Sequence, residues 1–214
     1  MKLRMPVAKE GIPFILISAF VTCLFILASI PLPASVFILI TLFIIWFFRD
    51  PEREAHTKDT TILSPADGTI VEIKKIEAED SPINEKSIKV GIFMSVFNVH
   101  VNRIPVAGTI EKIIYFPGKF LSADLNKASL NNERNMVIMK SSVGKTIAFV
   151  QVAGLIARRI VCKLQEGQSV KTGERFGLIR FGSRVDIYLP EGSELLVRGG
   201  DIVRAGKTCI GNLL

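Results

Sequence analysis

The chain has 214 residues, enough for one domain with a substantial core and an additional segment. Its 27 lysines and arginines against 20 aspartates and glutamates give a formal net charge of +7, which favours an anionic partner. No basic stripe is interleaved with Tyr or Trp, so we expect no nucleic-acid partner. With only two histidines we expect no histidine-rich metal site, and the three scattered cysteines are typical of a reduced compartment.

An uncharged apolar segment occupies residues 12–48. It is longer than the roughly 20 residues that span a bilayer, and "IPLP" at 30–33 interrupts it. We predict two helices, about 12–30 and 34–48, that form a hairpin, the second short enough to be re-entrant. Basic residues on both sides predict that both ends lie at the cytoplasmic face of the cell membrane. A cleaved signal peptide is the alternative, but a second apolar stretch would not follow it.

The composition changes at about residue 60, where Val and Ile become dense and glycines recur. Short runs such as "SIKVGIFMS" and "TIAFVQVAG" alternate with polar turns, and "SSVGK" at 141–145 indicates a hairpin. After residue 60, no long segment has the 3.6-residue hydrophobic period of a helix. We therefore predict a membrane-associated helical hairpin and linker over 1–59 and a mostly β domain over 60–214.

Two pairs of similar segments indicate an internal repeat. "ADGTIVEI" (66–73) resembles "VAGTIEKI" (106–113), and "EGQSVKTGERFGLI" (166–179) resembles "RGGDIVRAGKTCIG" (198–211). Glycine at such corners lets a strand bend or take a positive φ. The pattern is similar to the hammerhead halves of lipoyl and biotinyl domains, so we expect a glycine-rich barrel or sandwich.

Three residues are candidates for chemistry: Asp67 in "SPADG", His100 in "VFNVHVNRIP" and Ser183 in "RFGSRVD". A carboxylate that orients an imidazole, which in turn accepts a hydroxyl proton, activates a nucleophile. Each residue also has a structural explanation, because Asp-Gly and Gly-Ser form turns and an isolated histidine is often a satisfied core residue. Spacing alone does not decide between these explanations, and the Gly-x-Ser-x-Gly elbow of many hydrolases is absent.

The order of these stretches resembles that of the phosphatidylserine decarboxylases in their short bacterial and archaeal form. The matching features are the apolar hairpin followed by "FFRDPER", then "SPADG", "VFNVHVNRIP", "ARRIVC" and "RFGSRVDIYLP". The resemblance covers essentially the whole chain. Its most specific part is the Gly-Ser motif near the C-terminus together with "VHVNR" upstream.

The resemblance implies a proenzyme that cleaves itself between Gly182 and Ser183. Ser183 would attack the Gly182 carbonyl, and β-elimination of the resulting ester would leave dehydroalanine. Loss of ammonia would then give a pyruvoyl group, the covalent cofactor. The heavy chain, 1–182, and the light chain, 183–214, would remain together as a heterodimer.

Asp67 and His100 match the acid and the histidine of the family's processing triad. Longer relatives often carry a second histidine three residues before His100, where this chain has Phe97. Its part in substrate chemistry would be absent here, or would fall to His100 or water. The resemblance also implies a Schiff base between the pyruvoyl carbonyl and the serine headgroup, with loss of CO2, and His100 is the candidate that reprotonates Cα.

The implied substrate is a membrane lipid, either phosphatidylserine or an archaeal ether lipid with the same phosphoserine headgroup. Arg158, Arg159 and Arg184 are candidates to hold its carboxylate or phosphodiester. For each of them the alternative is a solvated or lipid-facing charge. Pairing of strand edges between copies would give a homo-oligomer, and the sequence leaves that question open.

Two other functions fit parts of the sequence. One is a membrane-anchored carrier or adaptor on a biotinyl-like barrel, since Met139-Lys140 faintly resembles a biotinylation site, although no methionine follows the lysine. The other is a serine hydrolase or protease, against which the missing elbow and the scarcity of histidines argue. The whole-chain resemblance favours the decarboxylase.

Overall fold

The computed structural model describes residues 6–55, 58–118, 131–154, 159–180 and 182–214. By its internal contacts the chain divides into two compact units, Met1–Glu52 and Arg53–Leu214. The described part of the first unit is mainly helical, and the regular secondary structure in that of the second is almost all β-strand. This confirms the predicted fold class, a mostly β protein preceded by an apolar helix pair.

The predicted hairpin is confirmed, with α1 at Ile12–Leu27 and α2 at Pro31–Phe47. The prediction that the second helix begins at 34 was wrong by three residues. Proline is favoured in the first turn of a helix, where its missing N–H would have no partner, so Pro31 begins α2 instead of separating the helices. The chain turns just before it, with Ser29 at a φ of 58°.

Hydroxyl groups join the two helices inside this apolar unit. Ser18 Oγ lies 2.7 Å from Thr41 Oγ1, and Thr22 Oγ1 lies 3.4 Å from the same atom. Polar side chains in apolar helices favour contacts with one another, so this cluster helps to fix the pairing. Within the described ranges, Lys9–Leu27 is the one helical stretch long and apolar enough to cross a membrane, and α2 is shorter.

The described part of the second unit contains fourteen strands. They are β1 Thr61–Leu63, β2 Gly68–Ile76, β3 Ser87–Met94, β4 Val101–Arg103, β5 Gly108–Phe116, β6 Arg134–Ser141, β7 Thr146–Val152, β8 Ile160–Cys162, β9 Ser169–Val170, β10 Arg175–Ile179, β11 Ser183–Pro190, β12 Glu194–Leu195, β13 Ile202–Val203 and β14 Cys209–Asn212.

These strands form one large sheet and two small ones. The large sheet has the order β13-β2-β3-β11-β7-β6-β5-β9, and the small sheets have the orders β1-β14-β12 and β4-β10-β8. All of the pairings are antiparallel. Side chains alternate along the central strand β11, so Val185, Ile187 and Leu189 are fully buried in the apolar core.

The internal repeat predicted from sequence is present in the strand pairing, but its second pair of segments was aligned one residue out of register. Ser169 and Val170 match Ile202 and Val203, not Asp201 and Ile202. β13 pairs with the start of β2, and β9 pairs with the start of β5 in the same register. Ile70 N donates to Asp201 O at 2.9 Å, and Ile110 N donates to Gln168 O at the same distance. Both long strands also carry a bulge at the equivalent place. The second unit therefore contains two copies of one structural element.

Candidate active site

The Gly182-Ser183 peptide lies at the entry to the central strand. Gly182 has a φ of +38°, in the region that favours glycine, and β11 begins at the next residue. Among the described residues no heavy atom comes within 4 Å of an ideal Cβ at Gly182. Glycine is needed here for its backbone conformation, and the space beside it stays open to an attacking group.

The Ser183 hydroxyl is buried, and no described residue forms a hydrogen bond with it. The residue is 0% exposed, and Oγ has no partner among the residues that the structure describes. A buried polar group without a partner costs about 1–3 kcal/mol, whereas a structural serine in a turn usually bonds to nearby backbone. The structural explanation for Ser183 is therefore weakened, and a reactive role is favoured.

His100 is buried and held by a backbone carbonyl. Its Nδ1 lies 3.0 Å from Asn98 O. A carbonyl oxygen only accepts, so this contact assigns the proton to Nδ1 and makes Nε2 of the neutral ring a proton acceptor. Asn98 is fixed in turn, because Ser95 N and Ser95 Oγ each donate to its Oδ1 at 2.9 Å. This tautomer is the one that a general base requires.

The Asp67 carboxylate is held by an arginine that the sequence reasoning missed. Arg53 Nη1 donates to Asp67 Oδ1 at 2.5 Å, and Nη2 donates to Oδ2 at 2.8 Å. Ala205 N donates to Oδ1 at 2.7 Å. Arg53 is one of two arginines in "FFRDPER", and nothing in that stretch indicates a partner for it. Oδ2 retains capacity for a further donor. Because His100 Nδ1 lies against Asn98 O, an orienting contact from Asp67 would have to share or replace that carbonyl, and the contact stays a prediction.

The large sheet brings Asp67 and Ser183 to one end of β3. Thr69 of β2 pairs with Phe93, and Ser183 of β11 pairs with Met94. Asp67 immediately precedes β2, so the two residues lie at the starts of strands that flank β3. With neighbouring strands about 4.8 Å apart, their backbones are roughly 10 Å from each other.

His100 approaches the Gly182-Ser183 peptide from a small sheet. Ile179 N donates to His100 O at 3.4 Å, and Ile179 is four residues before Ser183. His100 directly precedes β4, which contains Asn102. Asn102 Nδ2 lies 3.6 Å from the sulfur of Met94, the residue that pairs with Ser183. The structure thus gathers the three predicted site residues in one region.

Phe97 occupies the position where the family resemblance pointed to a possible second histidine. Its side chain is 67% exposed, in the turn that also contains Asn98. Phenylalanine has no proton to transfer, so this position supplies no acid or base.

The three candidate arginines differ in their environments. Arg184 is 0% exposed, so its interpretation as a solvated or lipid-facing charge was wrong. It pairs with Asp186 and Glu72, and Lys89 pairs with the same two carboxylates. Arg159 is exposed, and Arg158 lies outside the described residues.

The buried cluster is a structural network of four charges on the sheet face opposite the apolar core. Burial opposes charge on Glu72, yet hydrogen bonds and charges from Lys89 and Arg184 lower its pKa below the usual value. Burial likewise opposes charge on Arg184, but Asp186 and Glu72 raise its pKa. Because both of its partners are carboxylates, Arg184 is already neutralised and is poorly suited to bind an anionic headgroup.

Together these features define a class of site: a buried hydroxyl at a left-handed corner, with a buried imidazole in the tautomer of a base. Comparison with known proteins gives the family. The family model for phosphatidylserine decarboxylase matches residues 40–211. The chain belongs to the phosphatidylserine decarboxylase family.

Curated relatives agree over nearly the full length. A protein of Desulfotalea psychrophila is 49% identical over 211 residues, covering 99% of this chain and 98% of its own. One of Magnetococcus marinus is 49% identical, covering 97% of this chain and 95% of its own. A Syntrophus aciditrophicus protein is 47% identical, with 96% of each chain covered. All three are named phosphatidylserine decarboxylase proenzyme. The carrier and hydrolase alternatives therefore lose their support.

Proposed function

We propose that this chain cleaves itself between Gly182 and Ser183 and then decarboxylates phosphatidylserine to the ethanolamine lipid. Family membership supports the decarboxylase activity. The observation that carries the processing step is the buried Ser183 hydroxyl, which has no hydrogen-bond partner among the described residues and directly follows left-handed Gly182. An ether lipid with the same phosphoserine headgroup presents the same reacting atoms.

In the proposed self-cleavage, Ser183 Oγ attacks the carbonyl carbon of Gly182 while His100 Nε2 accepts the hydroxyl proton. The peptide C–N bond breaks, the nitrogen takes a proton, and an ester joins Gly182 to Oγ. Loss of the α-proton at 183 expels the Gly182 carboxylate and leaves dehydroalanine. Addition of water and release of ammonia then give the pyruvoyl group on the light chain.

The pyruvoyl carbonyl at 183 supplies an electron sink for breaking the bond between Cα and the carboxylate of a serine headgroup. The chain's own contribution is to position and protonate. His100, with Nδ1 held by Asn98 O, is the candidate that returns a proton to Cα. The apolar hairpin would hold the enzyme at the cytoplasmic face of the membrane that contains the substrate.

The strand pairing explains how the two chains would stay together after cleavage. β11 pairs with β3 at eight positions and with β7 at five positions. β13 and β14, also on the light chain, pair with β2 and β1 of the heavy chain. Cutting one peptide before β11 leaves this ladder intact, so we propose a tightly associated heterodimer.

Intact mass spectrometry of the purified wild-type chain tests the proposed function. We expect two fragments, 1–182 and 183–214, the second with a pyruvoyl group in place of its N-terminal serine. Borohydride added with phosphatidylserine should fix the lipid amine to the 183–214 fragment. A single unmodified chain that still decarboxylates the lipid would refute the pyruvoyl mechanism.

We further assign Arg53 the role of positioning Asp67 for self-cleavage. Its guanidinium fork grips both carboxylate oxygens and also donates to Ala205 O at 2.7 Å. This ties the residue before β2 to the loop after β13. Bidentate pairs of this kind give directional as well as electrostatic support. Arg53 would thus fix the direction in which the remaining lone pair of Asp67 points.

Arg53→Met should slow self-cleavage by about 10- to 100-fold, the equivalent of losing a hydrogen-bonded charge worth roughly 1.5–3 kcal/mol. Arg53→Lys should recover part of the rate, because it restores the charge without the fork. The rate is followed on gels as purified precursor converts to two chains. Lys145→Met, in the exposed hairpin turn, is the matched control. Equal rates for Arg53→Met and the control would remove Arg53 from the site.

A further inference from the structure

The segment between β12 and β14, which includes β13, exposes both apolar and basic side chains. We name residues 196–207 the rim segment. Leu196 is 54% exposed and Ile202 is 77% exposed, which is high for large apolar side chains. Arg198, Arg204 and Lys207 are also exposed on the same segment. Apolar side chains interspersed with cations are typical of surfaces that contact anionic bilayers.

The internal repeat provides a control for this surface. Val203 pairs with Gly68 as Val170 pairs with Gly108, so the rim segment is equivalent to residues 163–174. Ile202 corresponds to Ser169, which is exposed as well.

The two equivalent segments also differ in charge. The rim segment contains three cations and one carboxylate, whereas 163–174 contains two of each. In particular, Lys207 corresponds to Glu174. The fold therefore requires neither the exposed isoleucine nor the excess of positive charge at this position.

The rim segment belongs to the same end of the sheet as the candidate active site. Ala205 N donates to Asp67 Oδ1. Ile202 pairs with Thr69, which pairs with Phe93 on its other side. Four residues beyond Phe93 is the exposed Phe97. Of the two equivalent segments, the rim segment, which carries the exposed isoleucine and the excess of cations, is the one that contacts Asp67.

We propose that the rim segment is a docking surface for an anionic lipid bilayer, which places the cleavage-derived active site at the headgroup level. Ile202 and Leu196 enter the boundary between headgroups and acyl chains, and the rim cations contact lipid phosphates. This inference rests on the proposed lipid substrate. A second copy of the chain is a poorer occupant, because self-association through this segment would oppose three cations to the same three cations.

Site-specific fluorescence tests the docking in the full-length protein. The chain has one tryptophan, so Trp46→Phe gives a dark background into which Ile202→Trp or the matched Ser169→Trp is introduced. Vesicles contain phosphatidylglycerol and phosphatidylcholine with brominated acyl chains. The hairpin is present in both proteins, so a difference between them reports which face meets the lipid.

We expect the tryptophan at position 202 to shift to shorter wavelength and to be quenched about twofold, with little change at position 169. Equal quenching at the two positions, or none at 202, would overturn the proposal. A shift of the emission at 202 that grows with protein concentration in the absence of lipid would assign the surface to a second copy, and would overturn the proposal too.

Neutralising the rim cations provides a second test. Arg204→Gln with Lys207→Gln should raise the KM for phosphatidylserine in anionic vesicles about three- to tenfold, relative to the KM for a monomeric short-chain phosphatidylserine. The matched control is Lys163→Gln with Lys171→Gln, which should leave this ratio unchanged. An unchanged ratio in the rim variant would contradict docking.

The extent of self-cleavage, measured in every sample, separates this test from the proposed function. If wild-type protein is uncleaved or inactive, the proposed function fails. If cleaved, active variants show no difference between the rim and its control, the docking surface alone fails.

Discussion

Ser183→Ala is expected to give a single uncleaved chain with no decarboxylase activity. Alanine has neither the oxygen that attacks Gly182 nor a group that β-elimination can expel, so neither the cut nor the pyruvoyl group can form. Intact mass and release of CO2 from phosphatidylserine measure the two losses. The expected effect on activity is complete rather than partial, because the same atom is needed both for cleavage and for forming the cofactor.

This variant should remain folded, which distinguishes a chemical defect from a structural one. Among the described residues the Ser183 hydroxyl has no hydrogen-bond partner, so its removal leaves none of them unsatisfied. Losing an unpaired buried hydroxyl is neutral or stabilising by about 1 kcal/mol. Thermal unfolding of the purified variant checks this. An unfolded or aggregated Ser183→Ala protein would mean that the hydroxyl has a structural role.

Two further substitutions at the same position separate attack from elimination. Ser183→Cys keeps a nucleophile, so slow cleavage through a thioester is expected. Ser183→Thr keeps the hydroxyl but adds a methyl group, and elimination would leave a ketone one carbon longer than pyruvoyl. Mass spectrometry of the light chain distinguishes these products. Normal cleavage and activity in Ser183→Ala would reduce the Gly-Ser motif to a turn.

Local sequence patterns predicted much of the fold because they report local physics. Apolar composition over 12–48 and the alternating runs after residue 60 gave a helix pair and a mostly β unit, as the structure has them. The repeat was visible because both copies need glycine where a strand passes close to its neighbour. An ideal Cβ at Gly68 would lie 2.0 Å from Phe93 O, and one at Gly108 would lie 2.1 Å from Lys140 O.

Contacts between distant residues could not be predicted in this way. Arg53 and Asp67 are 14 residues apart, and Ala205 reaches the same carboxylate from 138 residues away. Nothing in either local sequence specifies such a pairing. Arg184 illustrates the same limit. Of the two carboxylates that neutralise it, Asp186 is on the same strand, but Glu72 is 112 residues away and nothing near Arg184 in sequence indicates that partner.

The repeat and the site together show where the two copies have diverged. At the position equivalent to Asp67 the other copy has Ala107, whose N–H donates to Thr172 Oγ1 at 2.8 Å. Thr172 in turn is equivalent to Ala205, the donor to Asp67. Both copies thus close the same corner by a hydrogen bond, but only one uses a carboxylate to do so. A structural corner does not require Asp67, which supports its assignment to the site.

His100→Ala is expected to block self-cleavage, or to slow it by about 10²- to 10⁴-fold, the usual contribution of a general base. The contact of Nδ1 with Asn98 O leaves Nε2 in the acceptor form that the proposed removal of the Ser183 proton requires. Conversion of the purified precursor, followed on gels over days, measures the rate. His100→Gln is the companion variant, because it preserves polarity and approximate size but cannot act as a base at neutral pH.

The chain itself offers the control for this prediction. Its second histidine is His56, which lies outside the described residues and follows the hairpin in a polar stretch of sequence. His56→Ala should process and decarboxylate at the wild-type rate, since no step of the mechanism uses that residue. If instead His56→Ala stopped cleavage while His100→Gln cleaved normally, the base would have been assigned to the wrong histidine. If both His100 variants fold but do not cleave, the property that both have lost is the ability to accept a proton at Nε2.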